Sequence, residues 1–245
     1  MTSRSTSRSR RSRSNLLGAL LLLLAAPVAA RGQEPAGATF RILQHGAEIG
    51  VTSSTVTPEP EGEPAGWVIR GSSYLGGDYK LTVRRFEAHY DPAWRARFAT
   101  MELSTPGDTV VAHTAIQGSI NRTEVVQAGK TAYWGSADTS PDTIVIPDMV
   151  FPAYEALAAR LARTEPGATL PIFVLPLSEI RLTVESAGTA ELATATGPVA
   201  ARHWKVTFQT KTRQAPAEIW AVNGRLARVD MPLDGISVIR TDIRP

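Results

Sequence analysis

The 245-residue sequence predicts an all-β fold: a mainly antiparallel, strongly curved meander sheet, half-barrel or barrel-like, with one α-helix in the middle of the chain. Three observations lead to this prediction. Apolar and polar residues alternate through residues 180–185 and 203–209, as in strands with one buried and one wet face. Asn-Gly and Asp-Gly pairs separate the last apolar runs. Apolar residues recur clearly at helical spacing in residues 150–164.

The first thirty residues have the three parts of a signal peptide. Five arginines precede an apolar run of 11 residues, Leu16–Ala26, and the small residues Val28-Ala29-Ala30 follow it. Such a run covers about half of a ~30 Å hydrocarbon core, so an uncleaved anchor is the less favoured alternative. Arg10-Arg11 suggests twin-arginine export, but the polar residues after it favour general secretion. We expect cleavage near Ala30, a periplasmic or extracellular protein, and one domain over residues 31–245.

The formal net charge of +3 comes from this leader. The whole chain has 26 Lys and Arg against 23 Asp and Glu; without the five leader arginines, 21 basic residues face 23 acidic ones, a net charge of −2. Because the remaining chain also lacks a basic patch with interleaved aromatics, we expect no nucleic-acid partner. The absence of cysteine excludes a disulfide scaffold, a thiolate zinc site, a cysteine nucleophile and a lipidated N-terminal cysteine.

The first strands are predicted from turn residues. His45–Glu48 predicts a turn between strands Thr39–Gln44 and Ile49–Thr57. Pro58–Gly66 contains three prolines and three glutamates, which can neither complete a hydrogen-bond ladder nor bury their charges. We predict an exposed loop there, followed by a strand that begins at Trp67.

A long hairpin is predicted across Asp91-Pro92-Ala93. Residues whose numbers sum to 184 form apolar pairs: Tyr90:Trp94, Ala88:Ala96, Phe86:Phe98, Val83:Met101 and Leu81:Leu103. The apolar phase slips by one in both strands, on the rungs Arg84:Thr100 and Arg85:Ala99. The slip predicts either matched bulges or a hairpin that passes from one buried face to the other. Both interpretations imply a strongly bent sheet.

The predicted helix covers Val150–Thr164. Its apolar residues at helical spacing are Phe151, Tyr154, Leu157, Ala158 and Leu161. Pro152 suits the first turn, Asp148 is the predicted cap, and Glu165-Pro166-Gly167 ends the run. An apolar segment, Leu170–Leu177, follows the helix.

The chain is predicted to close with a three-stranded meander. Asn223-Gly224 lies between Glu218–Val222 and Arg225–Met231, and Asp234-Gly235 precedes Ile236–Ile243. Both pairs accept the positive φ angles of two-residue hairpin turns. With the earlier segments, we expect roughly a dozen strands, a number consistent with one β domain of this length.

No catalytic or metal-binding motif stands out, so no catalytic residue, metal or cofactor is predicted. The four histidines, His45, His89, His113 and His203, are isolated, and the zinc, phosphate-loop, dinucleotide and nucleophile-elbow motifs are absent. Asp138, Ser140 and Asp142 have the spacing of a calcium loop. Thr143 and Met149, however, replace the glycine and glutamate that such a loop requires. A solvated acidic loop is the favoured interpretation.

Aromatic residues supply the candidate ligand contacts. Trp94 and Trp204 are predicted core residues. In Tyr133-Trp134, neighbouring side chains point to opposite faces, so one ring could stack on a sugar or lipid, although a core or loop-packing role is favoured. The residues expected to contact a ligand are Tyr133, Trp134, Phe151, Tyr154 and Phe173.

The leader, the meander, the mid-chain helix and the closing segments Glu218-Ile219-Trp220 and Asn223-Gly224-Arg225-Leu226 resemble, in layout, uncharacterised bacterial envelope β-proteins. Residues 38–243 are similar in layout to the lipoprotein-carrier-like half-barrels, in which a bent sheet wraps an apolar cavity. With this layout, the phase-slipped hairpin and the apolar segments on both sides of Pro166-Gly167 favour an exported, non-enzymatic protein. We expect its curved sheet, partly closed by the helix at 150–164, to bind a lipid or another apolar or amphipathic molecule in its concave face. The resemblance implies no catalytic residue.

Two other functions stay open at this point. An interaction or accessory module of the cell envelope would act through its sheet edge or loops and would have a filled core with an exposed apolar patch. A carboxylate-based hydrolase would need two acids that converge in one pocket, which strands can bring together from distant positions. No stable transmembrane anchor is expected, and the oligomeric state is left open.

Overall fold

The computed structural model describes residues 37–176 and 178–244, and the predicted signal peptide lies outside that part of the chain. The described strands are β1 (Gly37–Gln44), β2 (Ala47–Pro58), β3 (Trp67–Leu75), β4 (Leu81–Tyr90), β5 (Ala96–Thr105), β6 (Asp108–Gln117), β7 (Ile120–Gln127), β8 (Lys130–Asp138), β9 (Ile144–Val145), β10 (Thr169–Val174), β11 (Ser178–Thr194), β12 (Gly197–Gln209), β13 (Gln214–Val222), β14 (Arg225–Met231) and β15 (Ile236–Arg240). A 3₁₀ turn, Phe151–Ala153, leads into the helix α1 (Tyr154–Leu161).

All fifteen strands belong to one sheet, and the chain enters it in the middle. The first strand, β1, pairs with β2 on one side and with the last strand, β15, on the other. The chain runs outward through β2–β8, passes through the helix region, and returns through β9–β15 to the centre. Every neighbouring pair is antiparallel except β9 and β10, which are parallel. The predicted mainly antiparallel all-β fold is confirmed, and the described sheet does not close into a barrel.

The sheet curves around the helix. The 3₁₀ turn contacts β2, β3 and β4 in one half of the sheet, whereas α1 contacts β13 and β14 in the other half. The backbone N–H of Ala96 in β5 donates to the carbonyl of Thr143, just before the edge strand β9, at 2.9 Å. Phe151, Leu157 and Leu161 are buried between these two halves of the sheet. Because this helix is apolar on almost every side, it is stable only where the sheet surrounds it. Among the described residues, no helix is long and apolar enough to span a membrane.

The predicted turns at His45-Gly46 and Asn223-Gly224 are confirmed. The predicted two-residue turn at Asp234-Gly235 is wrong, because the four residues 232–235 connect β14 to β15 and Gly235 alone among them has a positive φ, of +63°. His45-Gly46 turns β1 into β2, and Asn223-Gly224 turns β13 into β14; the φ angles of His45 and Asn223 are +49° and +53°. Two-residue hairpins of the primed types need this left-handed backbone. The loop after β2 is largely exposed, and β3 begins at Trp67 as predicted.

The hairpin of β4 and β5 is confirmed, but its predicted register is wrong. Phe86 faces Met101 instead of Phe98, and Ala88 faces Ala99. The turn is longer than predicted because Asp91 accepts hydrogen bonds at its Oδ1 from the backbone N–H groups of Ala93 (2.8 Å) and Arg95 (3.0 Å).

One extra residue in each strand of this hairpin shifts the pairing away from the predicted register. The extra residue Arg97 shifts β5, and the predicted phase slip is a bulge at Arg84 in β4 alone. Phe98 therefore faces His89 on the outer face of the sheet, where 37% of it is exposed.

The helix is shorter than predicted and is not capped by Asp148. The regular α-helix ends at Leu161. Turn structure follows it, and there the Thr164 hydroxyl donates to the Arg160 carbonyl at 2.8 Å. The 3₁₀ turn begins after Val150, without a side-chain cap. Pro152 stands in its first positions, as predicted, because the N–H that proline lacks has no partner there.

Candidate functional site

An apolar cleft of about 310 Å³ opens beside the start of α1. Its wall consists mainly of apolar side chains from β10–β14, among them Ile172, Val174, Ile180, Phe208, Ala217 and Met231. Polar side chains of Asp148, Thr210, Arg213 and Asp234 lie among the other lining residues. The volume is at the lower end of the range of small-molecule pockets, about 300–1,000 Å³.

Small residues in β13 leave room for this cleft. Ala215 is the cross-strand partner of Phe208, and Ala217 is the partner of Val206. A larger residue at either alanine would fill the space next to the Phe208 ring, as large residues do elsewhere in the core. The alternation in β12 that predicted a strand therefore also places Phe208 on the cleft side.

Tyr154, the first residue of α1, lines the cleft and is only 7% exposed. Its ring meets the Phe208 ring edge-on, with centroids 6.4 Å apart, and also packs on Phe151. Its hydroxyl makes no hydrogen bond with any residue that the structure describes. Burial, and then the negative charges of Asp148 and Asp234, raise the pKa of this hydroxyl, so it stays protonated.

The polar rim has one ion pair and one further carboxylate. Arg213 approaches Asp234 with an N–O distance of 3.0 Å, and both side chains are about half exposed. The Thr210 hydroxyl accepts from the Arg213 backbone N–H at 2.9 Å, which holds the turn that carries Arg213. Asp148 is exposed at the mouth and pairs with no group in the described part of the chain.

The five residues predicted to contact a ligand do not form one site. Tyr154 lines the cleft, whereas Phe151 and Phe173 are buried in the core beside it. Tyr133 and Trp134 lie on β8, at the opposite end of the strand order from β9 and β10. Trp134 is 74% exposed, so the core or loop-packing role favoured from the sequence is wrong for this residue. The core assignments of Trp94 and Trp204 are confirmed.

The sequence prediction missed most residues of the cleft. Phe208 alternates with the core residues Trp204 and Val206, so its pattern is that of an ordinary buried residue. Asp234 was assigned to a hairpin turn, and Arg213 carried no motif. Only the packing of β10–β14 against α1 distinguishes these positions from the rest of the core.

A second polar cluster ties the predicted loop to the outer face of the sheet. His89 lies between two carboxylates: its Nδ1 is 2.9 Å from Glu59 Oε1 and its Nε2 is 3.0 Å from Glu87 Oε1. The Glu59 side chain is only 6% exposed, so the loop does bury one charge, against the prediction.

Glu87 also accepts hydrogen bonds from Arg70 and Arg85, each at 3.0 Å. Burial alone would raise the pKa of Glu87, but the hydrogen bonds from His89, Arg85 and Arg70 outweigh it and lower the pKa from 4.5 to about 2. This cluster therefore anchors the loop by electrostatics.

The segment with calcium-loop spacing is held by Glu179. Its carboxylate accepts three hydrogen bonds of 2.7 Å: from the Thr139 hydroxyl, the Ser140 hydroxyl and the Ser140 backbone N–H. Burial would raise the pKa of Glu179, and these bonds lower it overall. Asp142 lies 3.6 Å from Arg160. Within residues 37–176 and 178–244, no group of three or more metal-ligating side chains is placed to hold an ion.

Comparisons with known proteins give little further information. No protein-family model matches the chain, and no curated protein matches it. Among solved structures, the chain is similar to a candidate exported protein with a YmcC-like fold from Bacteroides fragilis NCTC 9343. The two share 8% sequence identity over 87% of this chain and 97% of that one, with a TM-score of 0.34. A likeness of that size assigns neither a family nor a function.

Proposed function

We propose that this protein is an exported, non-enzymatic binding protein whose cleft beside Tyr154 takes a small apolar or amphipathic ligand. The observation that carries the proposal is an apolar wall open to solvent, with the hydroxyl of the mostly buried Tyr154 accessible there and without a partner in the described chain. Exposed apolar surface costs free energy, and a concave apolar pocket with a few polar groups is the usual form of a small-molecule site. A ligand would cover the wall and could hydrogen-bond to this hydroxyl.

The size of the cleft favours a small molecule or the end of a chain. Its volume of about 310 Å³ is far less than a cavity that encloses several acyl chains would need. The 3₁₀ turn contributes Phe151 and the helix contributes Leu157 and Leu161 to the buried core beside the cleft. The lipid-sized cavity implied by the carrier resemblance is therefore replaced, in this proposal, by a pocket at one side of the helix.

A matched pair of substitutions tests the cleft. Ala215→Phe places a ring next to Phe208, whereas Ala200→Phe adds the same ring on the exposed part of β12, opposite Glu191. Saturable binding of 1-octanol, measured by ligand-observed NMR and native mass spectrometry, is expected to weaken at least tenfold in the first variant only. Thermal unfolding shows whether each variant is folded. Equal binding by both variants, or no binding by the wild-type protein, would overturn the proposal.

The export part of the proposal rests on residues 1–30. Protein isolated from the cell envelope is expected to begin near Arg31, because the small residues Val28-Ala29-Ala30 form the cleavage site. N-terminal sequencing of that protein checks this. A protein that begins at Met1 would contradict it.

A second candidate function is the docking of a partner protein on the edge strand β8. The observation that favours it is Trp134, which is 74% exposed on a strand whose outer edge has no neighbour in the described sheet. A photo-reactive residue at position 136 would then give one discrete cross-link in cells. The cross-link is expected to disappear with Trp134→Ala and to be absent when the reactive residue replaces the exposed Glu61.

The hydrolase alternative has the weakest support. Asp148 and Asp234 do line one cleft, as that alternative requires, but Asp234 is paired with Arg213. A general acid needs a raised pKa. In the described residues, each carboxyl group with a resolved shift has a lowered pKa instead.

A further inference from the structure

The mouth of the cleft carries more negative than positive charge. Two aspartates, Asp148 and Asp234, and one arginine, Arg213, line it. Arg213 is already matched by Asp234 at 3.0 Å, so the charge of Asp148 is left without a counter-ion among the described residues. A site with an unmatched carboxylate attracts a cation and repels an anion.

The two rim aspartates also influence two nearby tyrosines. Burial first, and then Asp148 and Asp234, raise the pKa of Tyr154. Burial first, followed by Asp234, Asp148 and Asp78, also raises the pKa of Tyr79. Of the two, Tyr154 lines the cleft, so the two carboxylates act on a hydroxyl inside it. This supports the geometric argument from the rim itself.

A primary ammonium group suits these partners. It has three hydrogen-bond donors, and both the Asp148 carboxylate and the Tyr154 hydroxyl oxygen can accept. The neighbouring Phe208 and Tyr154 rings, which meet edge-on, offer apolar surface to the tail of such a ligand. A ligand carboxylate would find at the rim only Arg213, whose charge Asp234 already matches, and would be repelled by Asp148.

We infer that the cleft selects an amphipathic amine, with its ammonium group at Asp148 and the Tyr154 hydroxyl and its apolar tail against Phe208 and Met231. This inference rests on the proposed function, because it names the class of ligand for the same cleft. Besides Arg213 in the cleft, two basic side chains, Arg181 and Lys211, line a neighbouring groove that shares Val174, Ile180 and Thr210 with the cleft. Tighter binding of an anionic ligand would therefore indicate that the basic side chains of this groove, and not Asp148, determine which head group binds.

Three probes with one tail and different head groups test the inference: octylamine, 1-octanol and octanoate at neutral pH. Octylamine is expected to bind about tenfold more tightly than 1-octanol, since a hydrogen bond to a charged group contributes about 1.5–3 kcal/mol. Octanoate is expected to bind most weakly. Only the amine's affinity is expected to fall as salt is added, because salt screens charge pairs at an exposed rim.

Variants assign the preference to Asp148. Asp148→Asn is expected to remove the advantage of octylamine over 1-octanol and to leave 1-octanol binding unchanged. Glu191→Gln removes one negative charge near the far end of β11 and is expected to keep the advantage. Tyr154→Phe is expected to weaken octylamine more than 1-octanol.

The outcomes separate this inference from the proposed function. Equal binding of the three probes, tighter binding of octanoate, or an unchanged preference in Asp148→Asn would overturn the amine inference and leave a binding cleft. If no probe binds the wild-type protein, the proposed function itself is wrong.

Discussion

Glu155 joins the helix to two strands that are distant from it in sequence. Its side chain is 1% exposed, and its Oε1 accepts from the Ser54 hydroxyl at 2.7 Å and from Arg225 at 2.9 Å. Its Oε2 accepts from Arg225 Nε at 3.1 Å and from the Leu226 backbone N–H at 3.0 Å. A buried carboxylate is tolerated only with such a full set of partners. This residue therefore has a structural role, and its four bonds leave little room for a substrate.

The first prediction concerns this residue. Glu155→Ala is expected to lower the free energy of unfolding by about 3 kcal/mol, because it removes four hydrogen bonds from a buried carboxylate that joins the helix to β2 and β14. Urea unfolding followed by tryptophan fluorescence measures the loss. Glu165→Ala, which removes an exposed glutamate just after the helix, is the control and is expected to change stability by less than about 0.5 kcal/mol. Similar values for the two variants would contradict a buried tie at Glu155.

At the scale of elements, Gly71 allows the 3₁₀ turn to lie directly on β3. A Cβ atom at this position would come within 2.5 Å of Pro152 Cγ and 2.6 Å of its Cβ, and would also meet the Ser53 carbonyl. Because the turn starts the helix, this close approach determines how deep Phe151 and Tyr154 sit. The glycine in the strand and the proline in the turn therefore form one contact.

The second prediction follows from this contact. Gly71→Ala is expected to destabilise the fold by about 2 kcal/mol, as overpacking in cores does, and to weaken ligand binding through the displaced Tyr154. Adding Pro152→Gly to that variant removes both Pro152 atoms that the new methyl group would meet and is expected to recover part of the loss, which a double-mutant cycle measures. Gly188→Ala, in β11 with no atom near the added methyl group, serves as the control and is expected to be close to neutral. A neutral Gly71→Ala would show that the turn does not press on β3.

The β4–β5 hairpin shows how far an element can be predicted. The alternation correctly indicated two paired strands, but the turn decides the register. Trp94 adopts a left-handed backbone with φ of +64° and stacks on Trp67, with ring centroids 5.3 Å apart. A tryptophan in that conformation is rare, and its stability here comes from a ring in another strand. Local sequence could not predict it.

At the scale of the whole molecule, four carboxyl groups make the fold sensitive to acid. The pKa of Glu87 is lowered to about 2, and the pKa values of Asp91, Glu179 and Asp242 are also lowered. Hydrogen bonds outweigh burial at the first three, and bonds from Arg240 dominate at Asp242. A lowered pKa in the folded state means that the unfolded chain takes up protons first as the pH falls.

The third prediction is the resulting pH dependence. Stability contributed by these groups is fully present above about pH 5 and is lost as the pH falls from there toward about 2. Urea midpoints across that range measure the loss. The urea midpoint of Glu87→Gln is expected to depend less on pH than that of the wild type. The control Glu61→Gln, at an exposed loop position without a partner among the described residues, is expected to have the pH dependence of the wild type. Midpoints that do not change with pH in the wild type would contradict the assignment.

The sequence by itself determined the local features of this protein: the alternating strands, the turns at His45-Gly46 and Asn223-Gly224, and a single helix that starts near Pro152. These depend on residues within a few positions of one another, so backbone preference and periodicity suffice to predict them. Only the tertiary structure decided that β1 pairs with β15, that Phe98 and Trp134 face outward, and which apolar residues line a cleft. Each of these depends on side chains far apart in the chain, and a buried apolar residue has the same sequence pattern whether it fills the core or borders the cleft.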